Sequence, residues 1–257
     1  MTAPTPSGGR GRPLLITVPG VLGTIGVFIV AAVCVRLGLW QLDRLAQRDA
    51  RNTGIAERLA RPPMPLPTSI DDTAGLGYRR VHVHGTLDAG RSIVLAGRSR
   101  AGAPGVHLLT PLYLEDGTAV LVNRGWVPSP DAASIDIDAF PADSIDGEGI
   151  IVPLPAAPAG ADARSTTTGA AATRDFQRVW FRVDADALRR QFPYPISAFE
   201  VRLLPQEPAA LSQPQRLEPP ELDRGSHLGY AIQWFSFAAV FLIGWGAMVV
   251  RRTGGRA

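Results

Sequence analysis

His227, Tyr230, Ala231 and Trp234 fall at i, i+3, i+4 and i+7, a spacing that sets an imidazole, a phenol and an indole on one face of a helix. They open the second of two long charge-free runs in this 257-residue chain. Near the end of the first run, Gln41 and Arg44 are three residues apart and share a helix face in the same way. Two readings fit these groups. Tyr and Trp are enriched where helices leave a bilayer, and a long Arg can snorkel into the headgroups, so the residues can form an ordinary interfacial belt. Alternatively, an imidazole on one helix and a planar guanidinium on another suit a flat amphipathic ligand such as heme, with a ring nitrogen for iron and Arg for carboxylates.

The remaining candidates are fewer. His82 and His84 are two apart in a strictly alternating stretch and share one strand face. One such pair supplies too few ligands for a closed metal site, so a solvated strand face is the simpler expectation. His107 sits in an apolar arm and reads as a strand residue with one polar edge. Asn123-Arg124-Gly125-Trp126-Val127-Pro128 ends a strongly apolar strand. There Gly125 permits a bulge or a close backbone approach. Arg124 and Trp126 can either pack a strand end or form a docking edge for a protein partner. All 26 basic residues are Arg, so Schiff-base chemistry and a phosphate-loop Lys are excluded. The single cysteine, Cys34, excludes an internal disulfide and a Cys-based zinc site. No nucleophile elbow, dinucleotide fingerprint or His-Glu-x-x-His motif occurs, and no nucleophile–base constellation points to an enzyme.

The elements that must position these groups follow from charge. Residues 13–35 and 227–250 carry none, over 23 and 24 positions. As helices, runs of this length span roughly 34 Å, against a hydrocarbon core of roughly 30 Å. All 23 acids and 21 of the arginines lie between the two runs. The first run is longer than a signal-peptide core. Although Ala31-Ala32-Val33-Cys34 resembles a lipoprotein cleavage site, Val33 is too large for the position before the Cys, so an uncleaved anchor is expected. Arg251, Arg252 and Arg256 follow the second run and favour a cytoplasmic C-terminus. The loop-side arginines Arg36, Arg44, Arg48, Arg51 and Arg224 weaken that bias.

The expected fold class is a membrane protein in which two transmembrane α-helices flank one extracytoplasmic β-rich (α+β) domain. The expected division is a disordered cytoplasmic tail at 1–13, spans at 14–35 and 227–250, the domain at 36–226, and a cytoplasmic tail at 251–257. The first helix is expected to continue through 37–60, until Arg61-Pro62-Pro63 stops it. Strands are expected at 79–84 and 92–96, as a hairpin of 106–114 with 118–123 about Asp116-Gly117, at 177–183, and at 199–204. Pro111 suggests an edge or a bulge in the first hairpin arm. Val179, Phe181 and Val183 are expected on the inner face of their strand, and Asp184 can N-cap a short helix through Gln191. The pattern fades over 128–174, and the Pro-, Ala- and Thr-rich run at about 153–173 reads as a flexible insertion. Residues 205–220 read as a proline-rich extended return.

Five segments in order carry a resemblance. They are Leu37-Gly38-Leu39-Trp40-Gln41-Leu42-Asp43-Arg44, Tyr78-Arg79-Arg80-Val81 with Gly85, Gly105-Val106-His107-Leu108-Leu109-Thr110-Pro111-Leu112, Asn123-Arg124-Gly125-Trp126-Val127-Pro128, and His227-Leu228-Gly229-Tyr230-Ala231-Ile232-Gln233-Trp234-Phe235. With two apolar runs bracketing a loop of the right size, the chain resembles the surfeit locus protein one family, assembly factors of cytochrome c oxidase. The resemblance implies a non-enzymatic role in maturing the heme-bearing catalytic subunit of a terminal oxidase, in a bacterial plasma membrane with both termini inside. It implies heme a as cofactor, with His227 as candidate iron ligand; from the helix faces read above, Gln41, Arg44, Tyr230 and Trp234 are expected beside it. The implied partners are that subunit, a heme a synthase and membrane lipid, with no nucleic acid. Two stretches depart from the family. Ala46-Gln47-Arg48 replaces its usual aromatic and Lys, which puts a loop-side contact of the first helix in question, and 146–152 matches poorly. A heme-free chaperone working by protein contact is the alternative. A two-span extracytoplasmic binding module is a further one, although short tails leave a signalling output no room.

Overall fold

The computed structural model describes residues 18–67, 75–130, 135–155, 176–183, 185–206 and 213–254. The chain divides into two compact units, one drawn from Met1–Gly54 and Leu222–Ala257, the other from Ile55–Glu221.

The first unit is a helix pair. Helix α1 (Val18–Ala60) runs 43 residues without a break, as the sequence implies, and stops before Pro62 and Pro63. The last helix, α3 (His227–Gly254), runs 28 residues. Both are long and apolar enough to cross a membrane. They pack antiparallel through small residues. Ala31, Cys34, Ala231 and Ala238 are buried, with Trp234 packed against Ala31, Cys34 and Ala238. A Cβ on Gly38 would lie 2.7 Å from the Phe235 ring, and one on Gly23 would lie 2.6 Å from the Trp245 ring. Small residues let two backbones approach where no water drives association.

The second unit is an eight-stranded mixed sheet of order β1-β2-β6-β8-β5-β4-β3-β7. Its strands are β1 (Met64–Pro65), β2 (Arg80–Thr86), β3 (Ile93–Arg100), β4 (Ala103–Tyr113), β5 (Ala119–Pro128), β6 (Ser144–Pro153), β7 (Val179–Trp180) and β8 (Ile196–Leu203). Helix α2 (Ala185–Gln191) precedes β8. The expected hairpin is β4–β5, turning at Asp116-Gly117 with Gly117 at φ +80°. β5 lies between β4 and β8, and its two faces enter different clusters: Leu121 packs with Leu109, Leu188 and Phe192, while Val120 and Val122 pack with Phe199 and Val201. Burial on both faces explains the unbroken apolar run Ala119–Val122. On β2, Val81 and Val83 are fully buried and His82 and His84 exposed, as the alternation requires.

Four expectations are corrected or refined. Pro111 stands on an interior strand rather than an edge. The β3 ladder has ended at Ile93–Leu109, and Asp88 donates to the Pro111 carbonyl at 2.8 Å, so the missing N–H falls where no strand needs it. The bulge is in the second hairpin arm: between the Leu108–Gly125 and Leu109–Asn123 pairs, Arg124 is the extra residue. At 177–183 the strand is only Val179–Trp180. Trp180 is buried and its Nε1 donates to the Gln177 carbonyl at 2.9 Å, while Phe181 is exposed. The backbone leaves strand geometry after Trp180, so period-2 alternation no longer sets the faces. Finally, 144–153, where the pattern fades, forms β6 between β2 and β8. Gly147 and Gly149 dilute its strand signal, yet a Cβ on Gly149 would lie 2.5 Å from Val201 Cγ1, so the close approach requires glycine. The expected Asp184 cap, most of the insertion and the N-terminal tail lie outside the described residues.

Candidate functional site

The helix pair brings two of the sequence candidates into contact. Gly225, at φ +66°, turns the chain ahead of α3, and the Tyr230 N–H bonds the Ser226 carbonyl at 3.1 Å to close the first helical turn. His227 is thereby the first residue of α3, half-buried, with Nδ1 2.9 Å from Gln41 Oε1 on α1. A carbonyl oxygen only accepts, so with the Gln41 amide in this orientation Nδ1 carries the proton. In the neutral ring this leaves the lone pair on Nε2, the arrangement found in metal-ligating histidines, whose second nitrogen is held by a hydrogen-bond acceptor.

The other candidates separate. Ala231 and Trp234 continue the His227 face into the seam, where Trp234 also meets Phe237 edge-on at 5.9 Å. Tyr230 is half exposed. Arg44 is exposed, donates to Gln47 Oε1 at 3.2 Å and lies 5.5 Å from the Trp40 ring centroid. The face read from spacing therefore divides, with Gln41 and His227 bonded, Trp234 packed, and Tyr230 and Arg44 turned outward.

Sequence reasoning missed the contacts beside this bond. Arg48 is paired with the Asp223 carboxylate, and its Nε donates to the Asp223 carbonyl at 3.0 Å. Asn52 donates to the same carbonyl at 2.7 Å. Arg224 grips Asp49 with two parallel bonds of 3.0 and 2.6 Å. The available signal is the opposed charge order of Arg48-Asp49 and Asp223-Arg224.

In the sheet unit, Arg124 and Trp126 are both buried. Arg124 donates to the Pro141 carbonyl at 3.4 Å, and burial holds its pKa below the usual guanidinium value. Trp126 exchanges two backbone bonds with Gln215, of 2.7 and 2.8 Å. Gly125 between them has φ +137°, and a Cβ there would lie 2.3 Å from the Gln215 carbonyl oxygen. The glycine thus supplies both the bulge and the close approach, and the two flanking side chains pack the strand end. His107, on β4, has its Nδ1 3.2 Å from Asn123 Nδ2. Burial, with Arg98 and Arg202 nearby, pushes its pKa down to about 4, so it is neutral at pH 7. His82 and His84 stand across from Glu148 and Asp146 on β6. Among the described residues, no group of three or more His, Cys, Asp or Glu is arranged to hold a metal ion.

Comparison with known proteins adds the family. The model of the SURF1 family matches residues 28–239. A SURF1-like protein of Monosiga brevicollis is 29% identical over 244 residues, covering 88% of this chain and 86% of its own length. A SURF1-like protein of Rickettsia bellii is 25% identical over 224 residues, covering 84% of this chain and 86% of its own length. Surfeit locus protein 1 of Mus musculus is 29% identical over 117 residues, which span 40% of this chain and 38% of the mouse protein. The match reaches from the apolar part of α1, across every strand of the sheet, into α3, and the chain belongs to the SURF1 family.

Proposed function

We propose that the chain is an assembly factor for a heme–copper cytochrome c oxidase, which aids insertion of heme a into the catalytic subunit or stabilises that subunit while it matures. Family membership supports the oxidase as target, and bacterial SURF1-like relatives support a plasma-membrane setting. The two long apolar helices support a two-span topology, with both termini cytoplasmic and the sheet domain outside.

The observation that carries the heme part is the 2.9 Å bond between His227 Nδ1 and Gln41 Oε1. It fits an iron ligand, because it joins two helices, fixes the imidazole and leaves Nε2 as the basic nitrogen. In this reading His227 holds the iron and Gln41 orients the ring. Tyr230 and Arg44, both exposed, are available to the rim of the porphyrin, Arg44 as a fork for its carboxylates. Trp234 anchors the helix that carries the ligand. Arg124 and Trp126 contribute from within, by holding the end of β5 in the domain that would dock the oxidase subunit. A heme a synthase is the natural supplier. When bound, the cofactor supplies the iron porphyrin that the oxidase needs, and the chain itself binds, orients and releases without catalysing a reaction.

The test is the absorbance spectrum of the chain purified after co-expression with heme a synthesis. A heme spectrum in the wild type that is lost in His227→Ala supports the reading. A wild type that copurifies no heme, yet still associates with the oxidase subunit, overturns the carrier role and leaves a chaperone that acts by protein contact.

A further inference from the structure

The seam between α1 and α3 is built from Gly23, Ala31, Cys34 and Gly38 against Ala231, Ala238 and the rings of Phe235 and Trp245. Gly38 and Gly23 are the notches that seat the Phe235 and Trp245 rings, so the apolar seam sets the register of the two helices where they pack. His227 opens α3 before the first of these contacts, and its bond to Gln41 needs the start of the helix held as closely as the seam.

The stripe that carries the seam on α1 continues beyond the apolar run. Cys34, Gly38 and Gln41 lead on to Arg48, Asp49 and Asn52 at helical spacing. Arg48 and Asn52 take the side chain and carbonyl of Asp223, and Asp49 takes Arg224 in a fork. The charge order is positive–negative on α1 and negative–positive on the segment entering α3, so any shift by one residue opposes like charges. All four ionic side chains reach solvent, and exposed pairs add little stability. Complementary charge order can nevertheless select orientation and register.

We propose that Arg48, Asp49, Asp223 and Arg224 form a register clasp that positions the His227 imidazole on Gln41. Its consequence for a ligand rests on the heme reading above, but the clasp itself does not. Asp49 and Arg224 are positioning residues: they act on the imidazole through the backbone of residues 223–227.

The experiment uses the full chain in lipid nanodiscs, without heme, with 15N-labelled histidine. There are four histidines, and His227→Ala identifies the signal of His227. In the wild type its Nδ1 is expected to be protonated and its Nε2 bare. Gln41→Leu is expected to abolish that pattern with the clasp intact. Asp49→Arg and Arg224→Asp are each expected to abolish it, and the double exchange D49R/R224D to restore it. Far-UV circular dichroism confirms that each variant keeps its helices. If a singly reversed, folded variant keeps the wild-type pattern, or the double exchange fails to restore it, the clasp does not position His227. If Gln41→Leu changes nothing, the bond does not set the tautomer and the proposal falls. Heme uptake is measured separately. A wild type that takes no heme but shows the tautomer pattern overturns the carrier reading alone. A wild type that takes heme, with a spectrum unchanged in both reversed variants, overturns the clasp alone.

Discussion

The sheet unit buries Phe199, Leu108 and Ile151 almost completely, whereas the helix pair leaves Ile25, Phe28, Ile232 and Ile243 more than half exposed. In the sheet, apolar surface leaves water, and the fold is set by which side chains fill the two faces of β5. In the helix pair, apolar surface stays on the outside, and the contact sets glycine, alanine and cysteine against one another and against the rings of Trp234, Phe235 and Trp245. The two units therefore use polar groups differently. Asn123 is buried in the sheet, with His107 half-buried beside it. Gln41, His227 and the four charges sit together at one end of the helix pair, beyond the glycine notches that seat Phe235 and Trp245. In the first, polarity is tolerated within a structure that burial decides; in the second, polar groups bridge the two helices beyond their apolar seam.

Substitutions can sharpen or break that contrast. The largest effect is expected from Phe199→Ala, which empties a fully buried site and is expected to cost about 3–5 kcal/mol, read as a lowered denaturant midpoint of the sheet unit. A loss below about 1 kcal/mol would mean that burial is not what sets the sheet. Next, Gly38→Leu forces a side chain onto the Phe235 ring. It is expected to weaken helix pairing by about 1–3 kcal/mol, measured by titration with a denaturing detergent, with the sheet's own midpoint unmoved.

Third, His107 is pushed down to about 4 in the folded chain, from the ordinary imidazole value of about 6.5. Its neutral form is the one the fold accepts, so its contribution is fully present above about pH 6.5. It is lost as the pH falls towards 4, because the unfolded chain takes up the proton first. His107→Gln is expected to flatten the stability of the sheet unit over that window, and an unchanged pH profile would show that His107 is not buried as described. The smallest effect is expected from Asp186→Ala, which removes an exposed ion pair with Arg189 on α2 and is expected to change stability by less than about 0.5 kcal/mol.

Much of this was legible in the sequence where a period or a charge gap spans many residues. The two charge-free runs, the halt at Pro62-Pro63, the alternation of β2 and the Asp-Gly hairpin each repeat one rule several times. β6 was not legible, because Gly147 and Gly149 remove the side chains that would mark a strand, and the reason for Gly149 lies on β8, fifty residues away. Trp180 replaced Phe181 in the core because the strand stops after two residues, which local alternation does not reveal. At the site, spacing found Gln41 and His227 but also joined Tyr230 and Arg44 to them. A helix face read from sequence is broad, and only the partner helix selects which part of it is covered. The clasp needed pairing across 175 positions and had no local signature beyond two adjacent opposite charges.

The proposed role of His227 is to carry heme a to the oxidase. The most direct test is the amount of heme a per catalytic oxidase subunit in cells that lack the chain and are complemented with wild type or His227→Ala. A heme a deficit is expected that the wild type restores and His227→Ala does not. A full restoration by His227→Ala would contradict it.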